Sequence, residues 1–153
     1  MSRLRHSDSG SSLIEFAIAA PVLILLLIGL IEMGRFTFFS ILAANAARAG
    51  VQYGAQNLET AYDTSGITSA ALQDAQNLPN WTAANGITVN QLCALDGGPP
   101  QQCSTPWGSS PPVDTIYYVQ VQVSGTFNTL LNYPGIPNPV PISGSATMRV
   151  ATQ

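Results

Sequence analysis

The chain contains no lysine, and only 8% of its residues are charged, against the usual quarter. Arg3, Arg5, Arg35, Arg48 and Arg149 are its entire basic complement, and eight acids leave a net charge of −3. No basic surface is available to hold a phosphate backbone, which argues against a nucleic-acid partner. Without lysine there is no Ser–Lys pair. His6 is the sole histidine and precedes the long apolar stretch described below, which removes His-based triads and Cys–His pairs from everything after it. Two cysteines without a nearby histidine do not make a four-ligand zinc site. No glycine-rich phosphate loop follows a strand. The acids Glu59, Asp63, Asp74, Asp96 and Asp114 are scattered. Glu59 with Asp63, at i,i+4, reads as a solvated face rather than a calcium site or an acid–base pair. The sequence is therefore read as non-enzymatic, with no catalytic residue, cofactor or metal.

What is abundant is apolar length. Leu13 to Ile31, LIEFAIAAPVLILLLIGLI, has nineteen residues, thirteen of them strongly apolar, and a single charge, Glu15. At about −0.3 to −0.6 kcal/mol for each Leu, Ile, Val or Phe, insertion is favoured by roughly 4 to 8 kcal/mol. One carboxylate near the end of the stretch costs less than the roughly 3 kcal/mol of a mid-bilayer charge. As a helix the stretch reaches about 30 Å, the thickness of the hydrocarbon core. It is read as a single membrane span. It exceeds the apolar core of a secretory signal peptide, and no small-x-small cleavage site lies near Ile28-Gly29-Leu30. Arg3 and Arg5 precede it, whereas the 122 residues after it carry only Arg35, Arg48 and Arg149. The positive flank places the N-terminus in the cytoplasm and exports the remainder across the inner membrane. Pro21 removes one helical hydrogen bond, so a kink is expected there; neighbouring helices in a membrane tolerate it.

At the near border, Gly10 is followed by Ser11, Ser12, Leu13, Ile14, Glu15 and Phe16. A cut after Gly10 makes Ser11 the first and Glu15 the fifth residue of the mature chain. A short basic segment ending in glycine, before an apolar helix with an acid at that position, resembles a type IV prepilin leader. Glu15-Phe16 is similar to the Glu-Tyr pair of Flp-type pilins, with phenylalanine replacing tyrosine. Ala20-Pro21, a Glu32-x-Gly34-Arg35 turn and the run Ala46-Ala47-Arg48-x-Gly50 extend the match. Together they resemble the N-terminal signature of the TadE-like family, minor pseudopilins of tight-adherence pilus systems. VQVSGTFNTLL and ISGSATMRV are similar to that family's closing strands, so the resemblance covers residues 11–54 and 117–150.

The resemblance implies a minor pseudopilin, a structural or priming subunit in assembly of a tight-adherence type IVb pilus. Its partners would be a prepilin peptidase cutting between Gly10 and Ser11, other pilins or pseudopilins with their assembly machinery, and the lipid bilayer. It also implies that Glu15 pairs with the amino terminus of a neighbouring subunit. On the residues alone, Glu15 also fits a place at the interface, reaching cytoplasmic water. The alternative function is an uncleaved bitopic protein whose exported domain binds a surface partner or ligand.

Helical spacing continues past the span. Phe36, Phe39, Leu42 or Ala43, Ala46 and Gly50 form one apolar face, which predicts a helix from about Ser12 to Gly50. Small residues at 43, 46, 47 and 50 allow a sheet or second helix to approach closely. Arg35 and Arg48 read as solvated or paired surface charges. Asn57 to Pro79 predicts a second helix capped by Ser65 or Thr68, with Ile67, Ala70, Ala71, Leu72, Ala75 and Leu78 apolar, ended by Pro79. Asn85-Gly86 marks a turn into a short strand at Ile87 and Val89. Residues 96–112 are too rich in Gly, Pro and Ser to form an element. Thr115 to Phe127 alternates as a strand, with Tyr117, Val119, Val121 and Val123 on one side. A proline-bearing connection, Tyr133 to Pro141, leads to a final strand near Ile142 to Ala151.

The predicted fold is α+β and pilin-like. A long N-terminal transmembrane helix continues into a small exported domain with a second helix and a roughly three-stranded antiparallel sheet. Residues 1–10 form the leader, 11–50 the transmembrane and assembly helix, and 51–153 the exported domain. In an oxidising compartment Cys93 and Cys103 are expected to bridge, worth roughly 2.5–3 kcal/mol on the chain-entropy model. The flanking arginines generate a test of topology. A reporter active only outside the cytoplasm, fused after Gln153, is expected to be active; activity from a cytoplasmic reporter alone would reverse the orientation.

Overall fold

The computed structural model describes residues 9–76, 86–95, 97–103, 115–131, 135 and 137–151. Arg3, Arg5, His6, Leu78, Pro79, Asn85, Asp96, Pro112, Asp114 and Tyr133 lie outside those residues, and with them the expected helix stop and part of the expected turn. By its contacts the chain divides into two compact units, Met1–Phe36 and Thr37–Gln153. Helix α1 (Ser9–Gly54) is 46 residues long with Pro21 inside it. The short helices α2 (Leu58–Tyr62) and α3 (Thr64–Asp74) follow. Strands β1 (Ile87–Leu95), β2 (Gln101–Gln102), β3 (Thr115–Phe127) and β4 (Val140–Arg149) form one antiparallel sheet in the order β2-β1-β3-β4. The architecture is α+β, with four strands among the described residues where roughly three were expected.

In the Thr37–Gln153 unit, the core forms where α1 meets the sheet and α3. The helix contributes small residues at helical spacing: Ala43, Ala46, Ala47, Gly50, Val51 and Gly54 are all buried. Phe39 and Leu42, expected on the same face, are half-buried, as is Phe36, which belongs to the Met1–Phe36 unit. The sheet contributes alternate residues of β3, with Tyr117, Val119, Val121, Val123 and Phe127 buried. Side chains of period two on the strand thus meet a helical stripe of period three to four. Burying Phe127 alone is worth about 1.5–3 kcal/mol. Its ring lies 5.8 Å from that of Phe39. From α3, Ile67, Ala71 and Ala75 close the core.

Three expectations need correction. The second helix is two short ones, capped by Asn57 and Asp63 rather than by Ser65 or Thr68. Both expected hydroxyls are engaged elsewhere: Ser65 Oγ donates to Asp63 Oδ1, and Thr68 Oγ1 donates to the Thr64 carbonyl. The loop after β1 contains β2, where Gln101 and Gln102 pair with Cys93 and Leu92. Two residues carry no periodic signal, and the pairing sits beside the disulfide that returns the chain to β1. The last strand begins at Val140, so Pro141 lies inside it. The Val150 amide donates to the Tyr117 carbonyl, so alternate residues back to Val140 bond to β3 and the Pro141 nitrogen faces the open side. An edge strand tolerates a proline there.

A close approach of backbone to backbone in this unit is at Gly144 on β4. A Cβ there would lie 2.5 Å from the Ala43 carbonyl carbon and the Ala44 nitrogen. Backbone on both sides cannot yield as a flexible side chain does. Gly144→Ala is therefore expected to lower unfolding free energy by about 1–3 kcal/mol, read as a reduced denaturant midpoint of the detergent-solubilised protein. An unchanged midpoint would show that β4 moves freely away from α1.

Candidate functional site

The candidate site is the N-terminal part of α1, where the sequence placed Gly10, Ser11, Glu15 and Pro21. All four lie on the helix and all are exposed. Ser11 and Glu15 are one turn apart and share a helix face. Among the described residues, Glu15 has no hydrogen-bond or ion-pair partner. Among the described residues, a Cβ added at Gly10 would meet nothing within 4 Å, so none of them calls for glycine there by packing.

The apolar side chains that follow are equally uncovered. Leu13, Ile14, Phe16, Ile18, Val22 to Leu27, Leu30, Ile31 and Met33 are exposed large hydrophobics. A core helix of a water-soluble protein would bury such a face, and a run of this length and exposure needs an apolar surrounding. Among the described residues, one helix is long and apolar enough to cross a membrane.

Glu32 and Arg35 follow the apolar run. The expected turn at Glu32-x-Gly34-Arg35 is instead helical, because the apolar and alanine-rich stretches on either side carry the helix through Gly34. One turn of helix brings the two charges together: Arg35 Nη1 donates to Glu32 Oε2 at 3.1 Å, and Glu32 is only 8% exposed. Arg35 is thus a paired charge, while Arg48 is exposed. In the Thr37–Gln153 unit the second expected residue pair is joined. Cys93 on β1 and Cys103 just after β2 form a disulfide with a Cα–Cα distance of 5.1 Å.

One polar cluster was missed. Asp63 sits between α2 and α3, with Oδ1 accepting from the Gly66 amide at 2.9 Å and the Ser65 hydroxyl at 2.7 Å. Its Oδ2 accepts from the Tyr53 hydroxyl at 2.9 Å, which ties α3 to the end of α1. Asp63 and Glu59 therefore do not act as one solvated acidic face. The signal was in the sequence: an aspartate three residues before Gly66, and Asn57 three before Thr60, are both cap spacings. Asn57 and Thr60 indeed bond reciprocally, side chain to backbone. Among the described residues, no three His, Cys, Asp or Glu gather where a metal ion could bind.

The Ser65 hydroxyl, then the Gly66 amide and the Tyr53 hydroxyl, hold the Asp63 carboxyl below the usual carboxylate range. A carboxyl whose pKa is lower folded than unfolded stabilises the fold above its unfolded pKa of about 3.9. That contribution disappears as pH falls through the lower folded value. Asp63→Asn keeps a capping side chain but removes the charge. The variant is expected to melt below the wild type at pH 7, with the gap in melting temperature closing under acid. A gap that persists unchanged well below pH 4 would show that the charge is irrelevant.

No curated protein and no solved structure matches this chain. The comparison with protein families does match, and it covers the helix that holds the site. Residues 10–52, from the exposed Gly10 border through the small-residue face of α1, match the family described as TadE-like protein.

Proposed function

We propose that the chain is a minor pseudopilin, a non-enzymatic structural or priming subunit in the assembly of a tight-adherence type IVb pilus. The observation that carries this reading is Gly10 at an open, exposed position, five residues before Glu15 at the start of an uncovered apolar helix. The TadE-like match over the same residues supports it. In this reading residues 1–10 are a leader, the N-terminus is cytoplasmic and the domain beyond residue 50 is exported. A prepilin peptidase hydrolyses the Gly10–Ser11 bond and frees the Ser11 amine. Arg3 and Arg5 leave with the leader, removing the positive flank that holds the N-terminus in place.

The released helix then enters an assembly of apolar helices. Buried there without a partner, the Glu15 carboxylate would cost several kcal/mol. The Ser11 ammonium of a neighbouring subunit offsets this cost only when the helices are staggered in register. Ser11 and Glu15 share one face of α1, so both groups can address the same neighbouring helix. Glu15 thereby selects the correct docking through the penalty attached to a wrong one. Pro21, inside the helix, is a place for local bending as the subunit moves.

N-terminal sequencing of the protein from its native membrane tests the reading, with a start at Ser11 expected. Gly10→Leu should block processing, whereas Glu15→Ala should be processed and inserted but incorporated poorly. Assembled material that begins at Met1 or Ser2 would overturn the mechanism and leave an uncleaved bitopic anchor whose exported domain binds a surface partner.

A further inference from the structure

Strand β4 is an outer strand of the sheet, with β3 on one side only. In an antiparallel pair, alternate residues bond to the neighbouring strand and the others point their amides and carbonyls away. The Val150 amide donates to Tyr117, so Ser143, Ser145, Thr147 and Arg149 point away from β3. Among the described residues, the backbone groups of these four have no partner. The register with β3 is continuous, so no bulge twists the edge away, and the chain has no lysine to guard it. The open stretch is bounded at both ends. Pro141 has no amide hydrogen, and the Ala151 amide is already bonded to the Ala55 carbonyl at 3.0 Å.

What lies beside that edge restricts what can pair with it. Gly144 lies against Ala43 and Ala44, and Ala151 bonds to Ala55, so β4 runs alongside α1 in the same direction. Ile41, Ala44 and Arg48 follow at three- and four-residue steps and form a ridge beside the strand. Residues two apart are about 200° apart around a helix, so Arg48 points away from Gly50, which lies next to Ala71 of α3. Ile41 on this ridge is 54% exposed, and Met148, on the same face of β4 as Gly144, is 41% exposed. One turn beyond Ala44 is a rise of about 6 Å, or about two strand residues past Gly144, so Arg48 stands level with Ala146. Arg48 and Arg149 are the only basic residues from Thr37 to Gln153. Both are exposed, and neither has an ion-pair partner among the described residues.

We propose that β4 accepts an extended, acidic segment of a partner protein as a further strand of the sheet. The open amides and carbonyls from Ser143 to Arg149 supply the main-chain bonds, and alternate side chains of the segment supply specificity. Its apolar side chains rest on Met148 and Ile41, and its carboxylates reach Arg48 and Arg149. Charge decides between an acidic partner and a second copy of this chain. A second copy pairing through its own β4 brings another Arg48 and Arg149 to the same seam, where like charges repel. An acidic segment instead neutralises both arginines. The inference rests neither on cleavage at Gly10 nor on entry into a pilus.

The test uses the full chain in a non-ionic detergent and a labelled peptide of alternating glutamate and valine, long enough to span Ser143–Arg149. Its lysine–valine counterpart is the control. The glutamate peptide is expected to bind and the lysine peptide not to. S145P removes one outward amide without touching the bonds to β3, and an edge strand tolerates proline there. Peptide affinity is expected to fall about tenfold or more in S145P, and by a similar factor in R48E/R149E. In the wild type, bound peptide should slow hydrogen exchange of the Ser143, Ser145, Thr147 and Arg149 amides about tenfold or more, while exchange at Val121 is unchanged. That measurement carries the test if S145P fails to fold. Unchanged exchange at the four amides, or equal binding of the two peptides, would overturn the proposal. So would a wild-type dimer, seen by sedimentation and lost in S145P, because a second copy would then occupy the edge.

Discussion

Gly144 brings β4 so close to α1 that a single methyl group would strike the Ala43 carbonyl carbon, and the domain is arranged around that approach. The helix can be approached because its buried face is alanine, glycine and one valine. The volume of the core is supplied instead from the other side, by Val119, Val121, Val123, Phe127 and Ile67. Gly50 and Gly54 repeat the arrangement against α3: Cβ atoms there would lie 3.1 Å from the Ala71 Cβ and 2.8 Å from the Ile67 Cδ1. Shape complementarity of this kind depends on small residues at specified positions, since interiors have no spare volume to absorb a methyl group. It also explains how one helix can be covered by a strand and a second helix at once. Neither neighbour has to move aside for a large helical side chain.

The same helix changes character along its sequence. From Leu13 to Met33 its large side chains are exposed, whereas from Ala43 to Gly54 its small ones are buried. The first part is suited to an apolar solvent that conforms to any shape, and bulky side chains maximise transfer from water. The second is suited to a protein surface with a definite shape, where bulk would prevent contact. The TadE-like match spans both parts, ending at Gln52 within the packed face. The two uses of the helix are therefore carried by one segment.

Much of this was legible before the structure. Strand β3 begins and ends at the expected residues because Tyr117, Val119, Val121 and Val123 alternate strictly with polar neighbours. The small-residue face of α1 was also expected, though Val51 and Gly54 extend it by another turn. The disulfide followed from two cysteines in the one segment after the apolar run, expected to be exported. Caps were harder, since serine, threonine, asparagine and aspartate compete for the same role, and only the geometry selects Asp63 over Ser65. Strand β2 was invisible because its formation depends on a tertiary pairing with Leu92 and Cys93 rather than on its own residues. For the candidate site, position was legible and environment was not. Nothing in the sequence states that Gly10 lacks a packing reason, since that depends on what surrounds it.

The scarcity of charge has a structural counterpart in where the described charges lie. Glu32 is nearly buried but meets Arg35 one turn away, so its burial is accompanied by a partner of opposite sign. Asp63 spends its carboxylate on two helices at once, capping α3 while accepting from Tyr53 on α1. The sheet manages polarity differently. Asn90 donates to Gln120 across the pair β1–β3, and Gln91 reaches the Ala61 carbonyl, so amides rather than ions join β1 to its neighbours. An amide can be half-buried with one or two partners, whereas a charge in that position needs a counter-ion and full solvation of its remaining lone pairs. A domain with little charge can thus join its elements through neutral hydrogen bonds and reserve ions for helix ends and paired sites. It follows that removing Asp63 disturbs the junction of α1 with α3, whereas removing Arg48, which is exposed and without a partner among the described residues, leaves that junction in place.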